Sequence, residues 1–222
     1  MTLFGAGIAL FALAFALFMW GHLRRLKRAE FIRDYQLPAG LFDRLEQVRP
    51  GLDLKSKQLI ARGLRKFFLA YLSSGCKFVS MPSQAVDDLW HEFILYTRHY
   101  DAFCKQAFGR FLHHTPAVAL GAHAQNNSGL RRIWWHCCRE ENIDPRKPTR
   151  LPLLFALDAK LGIPNGFHYS PNCEKLRAAG NATAHCGGDF SSSDFDGGTD
   201  GFGADGGDGG GGGGDGGGCG GD

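Results

Sequence analysis

Between Asp87 and His114 the chain carries side chains that could hold a cation or move a proton: Asp87, Asp88, His91, Cys104, His113 and His114, with His136 further on. Asp87 and His91 are four residues apart, and Asp88 and His91 three apart, so on a helix a carboxylate and an imidazole share one face. Helical bundles build metal sites from such side chains on facing helices. If the helices of this stretch fold back on each other, His91 meets one of His113 or His114. Asp87 or Cys104 then supplies a third ligand for a divalent metal. The competing reading makes His91 a partly buried histidine, hydrogen-bonded to an aspartate or a carbonyl and fixing a helix hairpin. Ionisable clusters are only statistical pointers to function, so the second reading stands beside the first.

Recognisable catalytic motifs are missing. His91-Glu92 begins like the zinc-protease helix, but the residue four after His91 is Leu95, so the second ligand of that motif is absent. There is no Gly-x-Ser-x-Gly elbow, phosphate-binding loop or dinucleotide fingerprint. Nor does any Cys-x-x-Cys pair point to a zinc ribbon among the seven cysteines. Cys104, Cys137 and Cys138 fall on apolar helix positions and read as small buried hydrophobes.

The elements that must position this set are helical. Ser80 followed by Pro82 reads as a helix start, with proline in the first turn. Val86, Leu89, Trp90, Phe93 and Ile94 recur at three and four and mark a buried face. Tyr100, Phe103, Ala107 and Phe108 continue the pattern after a break near Thr97, and Gly109 suits a helix C-terminus. Upstream, Leu41, Leu45 and Val48 form a short amphipathic helix. Asp53 can cap the next, whose stripe runs through Ile60, Leu64, Phe67, Phe68, Tyr71 and Leu72. Downstream, Ser128 can cap a helix holding Ile133, Trp134, Trp135 and Cys138. Leu151 to Leu161 forms the last one, stopped by Gly162 and Pro164. No alternating strand stands out, so the fold class is all-α with at most one short extended pair.

Asp87-x-x-Trp90-His91, Ile94-Leu95, Tyr100 and the block Phe108-Gly109-Arg110-Phe111-Leu112-His113-His114 resemble the glycine-rich domain-containing protein family over roughly residues 50–150. The resemblance implies a helical module, often joined to a glycine-rich segment, and no particular reaction. It gives Asp88, Trp90, Tyr100, Phe108 and Gly109 structural roles in the motif.

The two ends of the chain are of another kind. Leu3 to Trp20 are 18 consecutive uncharged, mostly apolar residues, about 27 Å of helix and enough to span a bilayer. Arg24, Arg25, Lys27 and Arg28 follow the run rather than precede it, which argues for an uncleaved anchor instead of a secretory signal. The positive-inside rule then predicts the N-terminus outside and the body in the cytoplasm, where disulfides are not expected. From Gly187 on the chain is mostly Gly, with eight aspartates and no Lys or Arg. It cannot bury enough apolar area to offset its ordering entropy and reads as a disordered acidic tail.

The expected organisation is therefore an anchor at 1–22, a juxtamembrane helix and linker at 23–50, a helical module at 51–164, an irregular segment at 165–186 and the tail at 187–222. Residues 1–186 hold all 25 basic but only 14 of the 22 acidic residues, so the +3 of the whole chain conceals a body of +11. A basic body suggests an anionic partner, the tail included. Arg98, Arg110, Arg131 and Arg132 read as a solvated face rather than a nucleic-acid site. Two functions follow: a membrane-tethered module that docks a protein partner, or a metal-dependent enzyme using His91 with His113 or His114. The missing catalytic motifs favour the first.

Overall fold

The computed structural model describes residues 2–114, 128–171 and 185–186. The described residues are mostly helical: α1 (Thr2–Asp34), α2 (Leu41–Val48), α3 (Leu54–Ser73), α4 (Gln84–Leu95), α5 (Thr97–Phe108), α6 (Ser128–Glu140) and α7 (Leu153–Leu161). The remaining regular structure is one parallel pair, β1 (Tyr169–Ser170) with β2 (His185–Cys186). The pair lies in the stretch that carries no clear sequence pattern. The acidic tail lies outside the described residues.

Helix α3 is the hub, packed by α1, α4, α6 and α7. Its predicted stripe is the core: Ile60, Leu64, Phe67, Phe68, Tyr71 and Leu72 are all buried. Gly63 is where α3, α4 and α7 come closest. A Cβ there would stand 2.4 Å from Leu157 and 2.9 Å from Val86, so glycine is what the crossing requires. Asp53 caps α3 as expected, accepting from the Ser56 N–H at 2.8 Å. Gly109 ends α5 with φ 75°, the left-handed conformation that glycine adopts without strain.

Helix α1 has two parts. It is long and apolar enough to cross a membrane, and its residues 6–20 are exposed. Its C-terminal turns enter the body, with Ile32 fully buried and Phe31 and Tyr35 against Phe103. Arg25 donates to the Leu72 and Ser73 carbonyls at the end of α3, and Arg65 to the Tyr35 carbonyl at 2.9 Å. Residues 23–50 thus share the core of the module, to which Leu41 and Leu45 of α2 also contribute.

Several expectations are corrected. Helix α4 starts after Ser83, whose Oγ accepts from the Val86 N–H, and not at Ser80. The reason is Asp158, a buried carboxylate from α7 that accepts from the Ser83 hydroxyl and the Gln84 N–H, both at 2.7 Å. Ser128 is the first residue of α6 rather than its cap, and α7 starts at Leu153 after Pro152. Arg132 is not solvated: it is buried and donates to the Phe78 carbonyl, locking α6 to the link between α3 and α4. Finally, Cys76 is disulfide-bonded, where a reduced cysteine was expected. It follows Gly75 in the turn after α3, with φ 58°. Cys104, Cys137 and Cys138 are free and buried, as their apolar positions imply.

Candidate metal centre

Asp87 and His91 sit one turn apart on α4, and His114 arrives from the segment after α5. One ligand atom from each lies within 4.8 Å of the others. His114 Nε2 is 2.9 Å from Asp87 Oδ1. An ionised carboxylate can only accept, so that nitrogen carries the proton. His91 Nε2 stands 3.8 Å from Asp87 Oδ2, beyond hydrogen-bond reach. The two imidazoles face each other with ring centroids 4.3 Å apart. Side-chain exposure differs sharply, 46% for His91 and 12% for His114. The histidine embedded beside an aspartate is therefore His114, not His91.

A chain of contacts from the core holds His114 in place. The Trp90 ring is buried against Phe67 and Phe68, and its indole N–H donates to the Tyr100 hydroxyl at 3.1 Å. Tyr100 in turn donates to the Leu112 carbonyl at 2.6 Å, fixing the backbone two residues before His114. The other face of Trp90 meets the His114 ring edge-on at 4.5 Å. Burial holds the Tyr100 phenol well above its ordinary range, so it stays a donor. Phe108 anchors the end of α5 against Tyr71 and Phe68.

The other sequence candidates lie elsewhere. Cys104 is fully buried beneath this relay, and burial pushes its thiol up, away from the thiolate that ligates metals. His113 turns outward against Phe111 at 4.8 Å. Asp88 is engaged elsewhere, paired with Arg49 and accepting from Gln84. His136 faces a cleft lined by Ala29, Arg33 and Ser73. Burial, then the charges of Arg132, Arg139 and Arg25, lower its imidazole to about 4, so it is neutral at pH 7. Its Nε2 is buried with no hydrogen-bond partner.

Asp158 escaped the sequence reading altogether. A single aspartate inside Leu-Leu-Phe-Ala-Leu-Asp-Ala-Lys-Leu is the signal it left: an acid on a helix otherwise buried on that side needs buried donors.

The body is thus a helical domain around a central α3, with a carboxylate and two imidazoles gathered beside α4. Residues 27–190 match the UCP032817-like family, and the chain belongs to it. No curated protein and no solved structure matches.

Proposed function

We propose that the protein is a membrane-tethered helical domain that binds a divalent transition metal through Asp87, His91 and His114. The observation that carries this is the convergence of three ligand atoms within 4.8 Å, from residues 27 positions apart in sequence. Two imidazoles and one carboxylate suit zinc, iron or manganese, and three protein ligands leave positions open for water or substrate. Closed structural sites have four protein ligands, so this set supports the metal-dependent enzyme among the two functions read from sequence. A bound cation takes the place of the proton between His114 and Asp87. The docking of a protein partner rests on no comparable observation.

The test is metal analysis and titration of the full chain in detergent, with zinc, ferrous iron and manganese as the probes. About one ion per chain is expected. His91→Ala and His114→Ala should each weaken binding tenfold or more, the loss typical of a ligand or its support. His113→Ala should bind like wild type. No ion above background, or equal binding by His91→Ala, overturns the site.

We further propose that residues 3–20 span the bilayer with the body on the cytoplasmic side. Four basic residues just past the apolar run support this, because loop charge sets orientation during insertion. The Cys76 disulfide favours an oxidising compartment and so speaks against this orientation, and the reporter discriminates between the two. A reporter active only outside the cytoplasm should be silent at the C-terminus, and moving the four charges ahead of the run should invert the protein. An active reporter on the unaltered chain overturns the assignment.

A further inference from the structure

Helix α1 runs from its apolar stretch into the core without a break, so the anchor fixes how the body stands on the bilayer. Trp20 closes the apolar run, with the Arg24 guanidinium 4.0 Å over its ring. At 1.5 Å per residue, Arg25 and Arg28 lie about 8 and 12 Å beyond it. Arg25 holds the last carbonyls of α3, at Leu72 and Ser73. Arg28 closes on Gly109, where a Cβ would come within 2.7 Å of its Nη2. The C-terminal ends of α3 and α5 are therefore at the level of the first turns past Trp20. The start of α6 joins them, since a Cβ on Gly129 would lie 2.8 Å from the Phe78 ring. The opposite pole is marked by Tyr35, which meets Phe103 and Arg65.

Charge is sorted along this axis. No acidic residue occurs in 2–29, 73–86, 108–114 or 128–139, the described segments that reach the near pole. Lys27, Lys77, Arg110 and Arg131 lie there, and Lys27, Lys77 and Arg110 are exposed. The acids belong to other segments, among them Asp34, Glu46, Glu92 and Asp101. Two aromatic side chains stand out of the same pole, Phe78 at 47% and Phe111 at 40% exposure. Cations around exposed rings, next to an apolar span, match the headgroup layer: phosphates meet the cations, and rings sit at the acyl boundary.

We propose that this pole docks on the bilayer surface, with Phe78 and Phe111 at headgroup depth and Lys77 and Arg110 binding acidic phospholipid headgroups. The proposal rests on α1 being a membrane span. The full chain is placed in nanodiscs of phosphatidylcholine with or without phosphatidylglycerol, carrying a photo-crosslinking phenylalanine at one position. Positions 78 and 111 should give lipid adducts, and Leu54, exposed at the start of α3, should give none. The acidic lipid should be enriched in the adducts about fivefold over its share of the bilayer, the gain expected from a basic residue at an anionic surface. Lys77→Glu with Arg110→Glu, or high salt, should remove the enrichment. Position 11, in the middle of the apolar run, separates the two ideas. Adducts at 11 without adducts at 78 and 111 overturn the docking and leave the anchor. No adducts at 11 overturn both. Adducts without enrichment overturn the headgroup recognition.

Discussion

Trp90→Ala is expected to lower unfolding stability by about 3–5 kcal/mol, the range for removing a large buried aromatic side chain. The ring fills the space between Phe67, Phe68 and His114, and is 4% exposed. Its loss also removes the donor to Tyr100, breaking the relay to Leu112. His114 then loses both its packing partner and the fixed backbone before it, so metal binding should fall with stability. His91→Ala is the contrast. With its side chain nearly half exposed and no hydrogen bond among the described residues, it should change stability by no more than about 0.5 kcal/mol while weakening metal binding tenfold or more. Denaturant unfolding followed by circular dichroism measures the first quantity and metal titration the second. Trp90→Ala within 1 kcal/mol of wild type would remove the positioning role assigned to the ring.

The contrast between these neighbours shows how far sequence carried the site. Spacing placed Asp87 and His91 on one helical face, and that face is real because a one-turn relation depends only on local geometry. It could not choose between His113 and His114. Adjacent residues in a non-helical segment point in different directions, and the choice is made by Trp90, reached only through the fold. Cys104 was a plausible ligand by type, yet it lies at the base of the Tyr100 relay and is fully buried. Helix periodicity was legible for α2, α3 and α5, whose faces alternate at three and four. The start of α4 was not legible. Ser80 and Ser83 both qualify as caps by residue type, and the decision falls to a carboxylate 75 residues away. The disulfide at Cys76 is not legible for another reason: compartment is inferred from charge alone, and residue spacing does not reveal which sulfurs pair.

Asp158→Ala is expected to cost about 3–5 kcal/mol, because it leaves several buried donors unsatisfied at about 1–3 kcal/mol each. The carboxylate is 1% exposed and accepts four hydrogen bonds: from the Ser83 hydroxyl, the Gln84 and Ala85 N–H groups, and the Phe167 N–H at 2.9 Å. Two of these donors are orphan N–H groups at the start of α4, where a negative charge is also favoured by the helix dipole. Truncation removes the acceptor of all four donors, and each buried donor left unsatisfied costs free energy. Asp158→Asn keeps the shape but presents an NH2 group to N–H donors on one side, so it should still cost about 2 kcal/mol. Ser83→Ala removes a cap while leaving the carboxylate its other donors, and should cost about 1 kcal/mol. The order Ala, then Asn, then the Ser83 variant is the distinguishing result in denaturant unfolding, with the slope unchanged so that midpoints compare directly. Fraying of the first turn of α4 also moves Asp87, four residues into the helix, so the Asp158 variants should bind metal more weakly than the Ser83 variant. Asp158→Asn indistinguishable from wild type in both measurements would show that the carboxylate does not hold the start of α4.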